Sequence, residues 1–406
     1  MDSQASVSDF PGKVREGEIC TKTVLDTTVP NITFDENGEC NFCRYYEQLA
    51  KRTVERTSDV LDREFESIIR TIKAVGQNKE YDCVLGVSGG MDSTYLALLA
   101  KRNGLRPLLV HFDNGWNSEL AVQNIEKIVN VLGLPLHTYV MDWEEFRDLQ
   151  RSYFLASVVD VEVPTDQLIF AALHKIAYSK GIKFILAGNN VVTESINPEG
   201  WVYKNKLDLV NLRSIHRKFG TRRLTKLPRL GLFERYFYEA VCGIQIVNLL
   251  DLVGYNKARV KEEVMNYFGW SDYGGKHHES VFTRFYQGYY LPVKFNIDKR
   301  KAHLSNLILS GQLTREEAIR ELTVAPYAAD DQLSDLEYVK KKLGFSDAEW
   351  SWIMEASPVP HAAFPTDRNT GYQVFYKIFQ ALMYVPVRLL RAIGILYTPR
   401  KVSSRW

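Results

Sequence analysis

A glycine-rich turn between a buried strand and a helix places the tightest limit on what this chain can fold into. The turn lies in the stretch YDCVLGVSGGMDSTYLALLAKRNG, at positions 81–104. The apolar run at 82–87 predicts a strand buried on both faces, and apolar residues at helical spacing over 91–102 predict a helix. Because glycines let backbone N–H groups approach a ligand and a helix N-terminus attracts anions, Ser88, Gly89 and Gly90 predict a phosphate-binding loop.

Two common phosphate loops do not fit this turn. No lysine follows the last glycine, as a Walker loop requires, and the G-x-G-x-x-G spacing of dinucleotide-binding turns is absent. The motif SGGMDS at 88–93 instead resembles the SGGxDS loop of the PP-loop ATP pyrophosphatases. That resemblance implies that the protein binds ATP, cleaves it between the α and β phosphates and activates a carbonyl-type oxygen as its adenylate. A plain connecting turn is the alternative.

Four further strand-like runs, beginning near positions 106, 135, 183 and 244, alternate with helical patterns. We predict crossover helices at Ser118 to Leu132, Thr165 to Ser179 and Asn256 to Phe268. This alternation is typical of a parallel sheet. The expected fold is a doubly wound parallel five-stranded sheet of the PP-loop ATP pyrophosphatase type, with a small N-terminal cysteine segment and a helical C-terminal domain. The expected domains are 1–60, 61–270 and 271–406.

The resemblance also implies the members of the ATP site. Asp92 and Ser93 are expected to be catalytic, with Asp92 directed at Mg²⁺ or the phosphates. The second strand end would lie against the nucleoside, although its FDNG sequence is good turn chemistry in its own right. The fourth strand end resembles the family's second glycine loop, and Glu194 beyond it is a candidate Mg²⁺ ligand. The predicted ATP-binding residues are Ser88, Gly89, Gly90, Asp92, Ser93, His111, Phe112, Asp113, Gly188 and Asn189.

Composition excludes several classes of protein. The 406 residues are too many for one ordinary core, and 51 basic against 49 acidic residues give no global argument for nucleic-acid binding. Five cysteines in a chain of this length favour a reducing compartment over a disulfide scaffold. The N-terminal sequence lacks an apolar signal region, and no apolar stretch is long enough to span a bilayer. We therefore expect a cytoplasmic protein, with association at the inner membrane surface left open.

Three cysteines before the sheet lie at nearly the spacing of a zinc ribbon. Cys40 and Cys43 form a C-x-x-C pair, and Cys20 precedes Thr23 at the same spacing. Four cysteines in this pattern would be a strong tetrahedral zinc signature, but a neutral hydroxyl is a poor zinc ligand. The sequence therefore predicts an incomplete zinc set. Either a water or a distant histidine completes it, or the site is empty and packing alone holds the fold.

Several stretches narrow the resemblance to one family. The opening CTKTVLDTT…ITFDENGECNFC, the SGGMDS loop, DYGGKHHESVFTRFYQGYYLP and DKRKAHLSNLILSGQLTREEA resemble the N-acetyl sugar amidotransferases of surface-polysaccharide (O-antigen, lipopolysaccharide) biosynthesis. The family usually has cysteine where this chain has Thr23. The resemblance implies an enzyme that adenylates the acetamido oxygen of a nucleotide-linked N-acetyl sugar. Ammonia then replaces that oxygen, which releases AMP and leaves an acetamidino group.

Two basic stretches are candidates for catalysis and substrate contact. We predict Lys276 and His277 as catalytic, because a lysine after a glycine pair can reach phosphate and histidine titrates near neutrality. Adjacent residues on a helix or strand point apart, so at most one of the two neighbouring histidines is expected to face the site. The predicted substrate contacts are Lys276, His278, Lys299 and Arg300, with a solvated basic face as the alternative for the last two.

A third basic stretch, at 204–229, supports a different function. It holds nine basic residues and a single acid, Asp208. Such a patch can bind a phosphate backbone. The first alternative is therefore a PP-loop tRNA-modifying enzyme that adenylates a base before thiolation or amine transfer. An ATP-sensing protein without transfer chemistry is the second. Because the patch lacks stacking aromatics apart from Phe219, we expect no nucleic-acid partner.

The source of ammonia is predicted from the cysteines. A glutaminase needs a nucleophilic cysteine on a strand-to-helix elbow or at a free N-terminus. Cys83 lies inside the first strand and Cys242 lies just before the fifth, and the others belong to the zinc-like set. We therefore predict a separate glutaminase. The family resemblance implies a histidine-biosynthesis-like glutaminase and its barrel-shaped companion, with 204–229 as a candidate docking surface.

The C-terminal region reads as helical, and SDAE at 346–349 fits a capping box. The tail at 371–406 is rich in aliphatic, aromatic and basic residues. Pro386 interrupts its helical pattern, which favours a packed terminal helix pair over a helix that lies on a membrane.

Overall fold

A parallel sheet of five strands forms the centre of the computed structural model, which describes residues 6–10, 12–14, 16–275 and 278–398. The strands are β1 (Cys83–Gly86), β2 (Pro107–Asp113), β3 (Leu136–Val140), β4 (Phe184–Leu186) and β5 (Gln245–Val247). Their order across the sheet is β3-β2-β1-β4-β5. The order reverses beside β1, which creates the crevice beyond the carboxyl ends where ligands of such sheets bind. The predicted doubly wound parallel sheet is confirmed.

Helices surround the sheet. Up to residue 275 they are α1 (Asn41–Arg52), α2 (Ser58–Gly76), α3 (Met91–Arg102), α4 (Glu119–Leu132), α5 (Trp143–Leu155), α6 (Val163–Ser179), α7 (Val191–Glu194), α8 (Leu209–Phe219), α9 (Leu232–Arg235) and α10 (Lys257–Phe268). The predicted starts Ser118 and Asn256 are N-caps, because their side chains accept hydrogen bonds from the backbone N–H of Ala121 and Arg259. Thr165 is preceded by two more helical residues of α6.

The C-terminal region is helical, as predicted. Its helices are α11 (Val281–Phe285), α12 (Leu291–Phe295), α13 (Arg300–Leu309), α14 (Arg315–Leu322), α15 (Ala329–Leu343), α16 (Asp347–Glu355) and α17 (Tyr372–Ala392). The predicted capping box is present, since Ser346 and Glu349 each bond the other's backbone N–H. In the part of the chain that the structure describes, none of the helices combines the length and apolarity that crossing a bilayer needs.

Two apolar layers sandwich the sheet, and a third core lies outside it. Leu85 packs with α2, α3, α4 and α10, whereas Val84 faces α6 on the opposite side. The third core joins Cys43 of the cysteine segment, Phe146 of α5 and Trp350 of α16. Residues from all three predicted domains therefore share one core, and the division at 60 and 270 stays a prediction.

The tail differs from its prediction. A single helix, α17, runs through Pro386 where a break into a packed pair was expected. Proline removes one backbone hydrogen bond from a helix, but its neighbours continue the ladder here. One face of α17 packs on α9 and the segment that follows it, with Phe233 4.9 Å from Phe379 between ring centroids. Packing on that segment fixes the helix without a partner helix from the tail.

Candidate active site

The turn between β1 and α3 forms an open cradle, which we call the phosphate loop (residues 88–93). Gly89 has a φ of +81°, and a Cβ there would lie 2.4 Å from the carbonyl oxygen of Ala121. Only glycine fits this position without moving α4. Gly90 is the N-cap of α3, so the N–H groups of the first helical turn point toward the open side of the loop. The cradle has the geometry that an anion needs.

The two serines of the motif brace the loop. Ser93 Oγ donates to the carbonyl oxygen of Gly90 at 3.0 Å and accepts from the N–H of Ser88 at 3.4 Å. Ser88 itself is exposed. Ser93 therefore holds the loop in shape, while Ser88 faces the space where a ligand would lie.

Carboxylates from two strand ends converge beside the loop. Tyr255 donates its hydroxyl hydrogen bond to Asp92 Oδ1, and Asn189 Nδ2 donates to Glu194 Oε2 at 3.0 Å. Burial raises the pKa of Tyr255, and the charges of Asp92 and Glu194 raise it further. Both carboxylates are thus near one hydroxyl, in an arrangement that suits a hard cation. Gly188 keeps the approach open, since its Cβ would lie 3.5 Å from the N of Ser93.

The start of the C-terminal region covers the loop. Glu279 Oε1 lies 3.4 Å from Ser88 Oγ, and the hydroxyl of Tyr273 accepts from the N–H of Met91 at 3.3 Å. The N–H of Ser118 donates to the carbonyl oxygen of Glu279 at 2.9 Å. Sequence reasoning missed Tyr255, Tyr273 and Glu279. The run DYGGKHHES, already singled out for its cations, was the available signal for two of them.

The second strand end is held mainly by its own turn. His111 is buried, with Nδ1 3.2 Å from the carbonyl oxygen of Val87 and Nε2 3.2 Å from the Asn117 amide nitrogen. Phe112 stacks on Tyr139 at 5.7 Å. Asp113 Oδ1 accepts from the N–H of Gly115 at 2.9 Å, which is the turn chemistry that the FDNG sequence offered as an alternative. A nucleoside role for these three residues stays a prediction.

A second group of charges lies at the same edge of the sheet. The crossover helix α6 runs antiparallel to the strands, so its N-cap, Glu162, lies at their carboxyl ends. Thr283 of α11 donates its hydroxyl hydrogen bond to Glu162. Thr283 follows Glu279 by four residues in the chain, so one short segment contacts both the phosphate loop and Glu162. We call this group the carboxylate–lysine cluster: Asp160, Glu162, Asp166, Lys206 and Lys299.

The carboxylate–lysine cluster contains one tight ion-paired triad. Lys206 Nζ lies 2.6 Å from Asp160 and 2.9 Å from Asp166. Burial lowers the pKa of Lys206, but Asp160 and Asp166 outweigh it, so the net pKa rises. The side chain of Asp166 is 40% exposed and that of Lys206 is 25% exposed. The triad is therefore enclosed but reaches solvent.

Glu162 and Lys299 form the other part of the cluster. Burial raises the pKa of Glu162 and lowers the pKa of Lys299, and the charge of Glu162 only partly offsets the latter. Among the described residues, Lys299 Nζ forms no hydrogen bond or ion pair. Burial therefore moves the pKa values of this carboxyl group and this amine toward each other, as at many sites of proton transfer.

The remaining predicted substrate contacts differ in what surrounds them. Lys276 and His277 lie outside the described residues. His278 lies beside Tyr327, with ring centroids 6.0 Å apart. The guanidinium of Arg300 is held by both carboxylate oxygens of Asp298 and by two backbone carbonyls, which accounts for its charge without a substrate.

The three cysteines converge as the zinc-like spacing predicts. Their sulfur atoms lie within 4.8 Å of one another and are buried, with Cys43 3.6 Å from both Cys20 and Cys40. Hydrogen bonds from Cys40 and Cys43 lower the pKa of Cys20, and the N–H groups of Thr23 and Cys40 also donate to its sulfur. Thr23 Oγ1 lies 3.9 Å from Cys40 Sγ, in the fourth corner. These residues fit a structural metal with three thiolates.

The basic stretch at 204–229 is partly neutralised by acids of α5 and its N-cap, Asp142. Asp148 accepts from His216 Nε2 at 2.8 Å and from the N–H of Arg222. Glu144 pairs with Arg222 at 2.8 Å, and Asp142 pairs with Lys226 at 2.6 Å. Lys206 belongs to the carboxylate–lysine cluster. The sequence shows one acid in this stretch, but the fold brings several more from 142–166.

Two families match separate parts of the chain. Residues 82–176 match the queuosine biosynthesis protein QueC, and residues 279–382 match the LPS biosynthesis protein WbpG-like, C-terminal domain. The first match contains the phosphate loop, and the second begins at Glu279, which contacts that loop.

Curated relatives match the chain over short lengths. The 7-cyano-7-deazaguanine synthase of Helicobacter pylori (strain J99) is 38% identical over 63 residues, which are 16% of this chain and 28% of that protein. The GMP synthase (glutamine-hydrolyzing) of Dictyostelium discoideum is 34% identical over 115 residues, 28% of this chain and 15% of that protein. The chain thus spans 28% or less of the length of these relatives.

Solved structures give only weak overall similarity. "Structure of NMN synthetase from Francisella tularensis" is 13% identical and covers 54% of this chain and 95% of its own, with a TM-score of 0.26. A predicted subunit of tRNA methyltransferase from Methanocaldococcus jannaschii is 17% identical, with 45% and 73% covered and the same TM-score. Scores this low carry no argument. The loop geometry, the parallel sheet and the QueC match agree with one another and support a fold of the PP-loop ATP pyrophosphatase type.

Proposed function

We propose that this protein is an ATP-dependent N-acetyl sugar amidotransferase of lipopolysaccharide or O-antigen biosynthesis. One observation carries the proposal: the WbpG-like match begins at Glu279, and Glu279 lies against the phosphate loop of the region that matches QueC. A region that resembles a polysaccharide enzyme therefore contacts the loop that we propose as the ATP site. In that position it can select which acceptor oxygen reaches the α-phosphate.

The first step would form an adenylate. The acetamido oxygen attacks the α-phosphate of ATP, the bond to the β-phosphate breaks, and pyrophosphate leaves. Loss of the amide N–H proton gives an O-adenylyl imidate. An amide resists ammonia because its oxygen is a very poor leaving group, and adenylation replaces that oxygen with AMP.

The phosphate loop supplies the nucleotide side of this step. The N–H groups at the start of α3, with Ser88, would bind the pyrophosphate portion, and Ser93 would keep the loop in shape. The resemblance to PP-loop enzymes implies Mg²⁺, which when bound would offset the charge on the phosphates. Asp92 and Glu194 would hold it, with Asn189 and Tyr255 orienting the two carboxylates.

The carboxylate–lysine cluster supplies the acceptor side. In the second step ammonia attacks the imidate carbon and AMP departs, which leaves the acetamidino group. Ammonium must first lose a proton, and Glu162, with its raised pKa, is a suitable acceptor. Lys299, which has no ion-pair partner among the described residues, would contact the anionic carrier of the sugar.

Ammonia would come from a separate glutaminase, as the cysteines predict. Cys83 is buried within β1, and burial raises the pKa of Cys242. Neither has the low pKa and open position of a catalytic thiol. With ammonium chloride, the purified chain is expected to form amidine; with glutamine alone, it is expected to form none. Glutamine-dependent product from this chain alone would contradict the prediction.

Mass spectrometry tests the whole proposal. UDP-linked N-acetyl sugars are incubated with the chain, ATP, Mg²⁺ and ammonium, and the sugar products are weighed. The expected product is lighter than its substrate by the difference between O and NH and appears together with AMP and pyrophosphate. Formation of ADP and phosphate, or a product of unchanged mass across the sugars, would contradict it.

A tRNA-modifying enzyme is the second candidate, supported by the QueC match. That match covers the phosphate loop but not Lys206 or Lys299, and two of the nine cations at 204–229 pair with acids of α5 and its N-cap. Filter binding with total tRNA separates the two. Retention that depends on Arg217 and Lys218 of α8 would favour the tRNA reading, and no retention would favour the sugar enzyme.

A further inference from the structure

The exposed side of α17 carries a continuous apolar stripe. Phe375, Ile378, Leu382, Val385 and Leu389 recur every three or four residues and are 55–71% exposed. Ile393 and Ile395, just beyond the helix, are 68% and 67% exposed. Single exposed apolar side chains are ordinary, but a stripe along about four helical turns needs a partner.

The opposite side of α17 fixes this orientation. Phe379 packs on Phe233, Val387 is 4% exposed, and Arg391 donates to the carbonyl oxygen of Ala240. The stripe therefore cannot turn inward without giving up these contacts. It faces away from the rest of the described chain.

The charge on this segment has one sign. Seven of the chain's 51 basic residues and none of its 49 acidic residues follow Asp367. On the helix itself Lys377 and Arg388 are exposed and lie to one side of the stripe. A helix with an apolar face, flanking cations and no acids has the composition that binds an anionic lipid surface.

We propose that α17 lies in the interface of an anionic bilayer, with its stripe among the acyl chains and its cations at the headgroups. The helix is about 31 Å long at 1.5 Å per residue, which suits a position in the plane of the membrane. The charge argues against a second copy as the partner, because two uniformly basic helices would repel each other. This inference does not depend on the reaction that the protein catalyses.

Cosedimentation of the full chain with vesicles tests it. Vesicles of phosphatidylcholine with phosphatidylglycerol are compared with vesicles of phosphatidylcholine alone. We expect at least about tenfold tighter binding to the anionic vesicles, with the difference shrinking at high salt. Leu382→Ser/Val385→Ser/Leu389→Ser should weaken that binding by about tenfold or more, since it removes three apolar side chains of the exposed stripe. Lys377→Gln/Arg388→Gln should weaken binding to anionic vesicles only.

Leu333→Ser, at a site on α15 that is 61% exposed, is the matched control and should bind within about twofold of the parent. Circular dichroism checks that each variant folds. Equal binding to both vesicle types, no binding to either, or the same loss in the Leu333 control would overturn the proposal. Light scattering tests whether the stripe binds a second copy of the chain instead. If the parent forms a dimer, does not bind vesicles, and loses the dimer in the triple variant, the stripe would be assigned to self-association.

Discussion

The nucleotide side and the acceptor side of the candidate active site are built in opposite ways. The phosphate loop takes six consecutive residues from one strand-to-helix turn, and their positions follow from the turn itself. The carboxylate–lysine cluster takes its members from residues 160–166, 206 and 299, together with the Thr283 contact. A contiguous site needs only local geometry, whereas a dispersed site exists only after the third core has formed.

The largest expected effect is on ATP cleavage, and it tests the phosphate loop separately from the acceptor side. Asp92→Ala should lower AMP and pyrophosphate formation by at least about 10³-fold, because it removes a proposed Mg²⁺ ligand beside the phosphates. The residue is only half-buried, so the fold should survive. A coupled pyrophosphate assay measures the loss, and Asp59→Ala, on an exposed part of α2, is the control. Near-parental turnover by the Asp92 variant would remove the loop from the mechanism.

Glu162→Gln tests the acceptor side. The amide can keep the contact with Thr283 but cannot take a proton, so ammonium-dependent amidine formation should fall by about 10²-fold. Sugar-dependent exchange of pyrophosphate into ATP should stay within about threefold of the parent, since adenylation precedes ammonia attack. Glu199→Gln, whose side chain is 69% exposed, is the control. If exchange and amidine formation fell together, Glu162 would belong to adenylation or to folding instead.

The same contrast explains how far the sequence alone could lead. SGGMDS and the alternation of strands and helices predict the parallel sheet and the phosphate loop, because both depend on neighbours in the chain. The pairing of Asp160 with Lys206 could not be predicted, since 46 residues separate them. Nor could the neutralisation of 204–229, because its acids lie on α5. In the tail, Pro386 predicted a break that α17 does not have.

Acid should weaken the acceptor side through His361. Its ring stacks on Tyr203 at 4.2 Å, and burial lowers its pKa to about 4. The unfolded chain binds the proton near pH 6.5, so stability is fully present above that pH and is lost as pH falls toward 4. The expected loss is at most about 3 kcal/mol of unfolding free energy.

Urea unfolding at several pH values measures this loss. His361→Gln should show a shallower decline than the parent between pH 6.5 and 4.5, because it has no ring to protonate. His137→Gln, at an exposed position of β3, should decline like the parent. Equal slopes for all three chains would mean that His361 is protonated as readily in the folded state.

The smallest expected effect concerns the cysteine segment, which packs against the helices that follow Lys299. Arg315 Nε donates to the carbonyl oxygens of Cys20 and Thr23, and the N–H of Val24 donates to Ser305 Oγ, so this segment anchors α13 and α14. Thr23→Cys puts a fourth sulfur where the hydroxyl lies near Cys40. With zinc present we expect about 1–2 kcal/mol of added stability, because bound metal stabilises only the folded state.

Thermal unfolding with and without a chelator measures the gain, and Thr21→Cys, exposed on the same segment, is the control. A parent chain that already retains one zinc per molecule, and a variant that gains nothing, would show that a ligand outside the three cysteines completes the site. The histidines at 277 and 278 would then be replaced first.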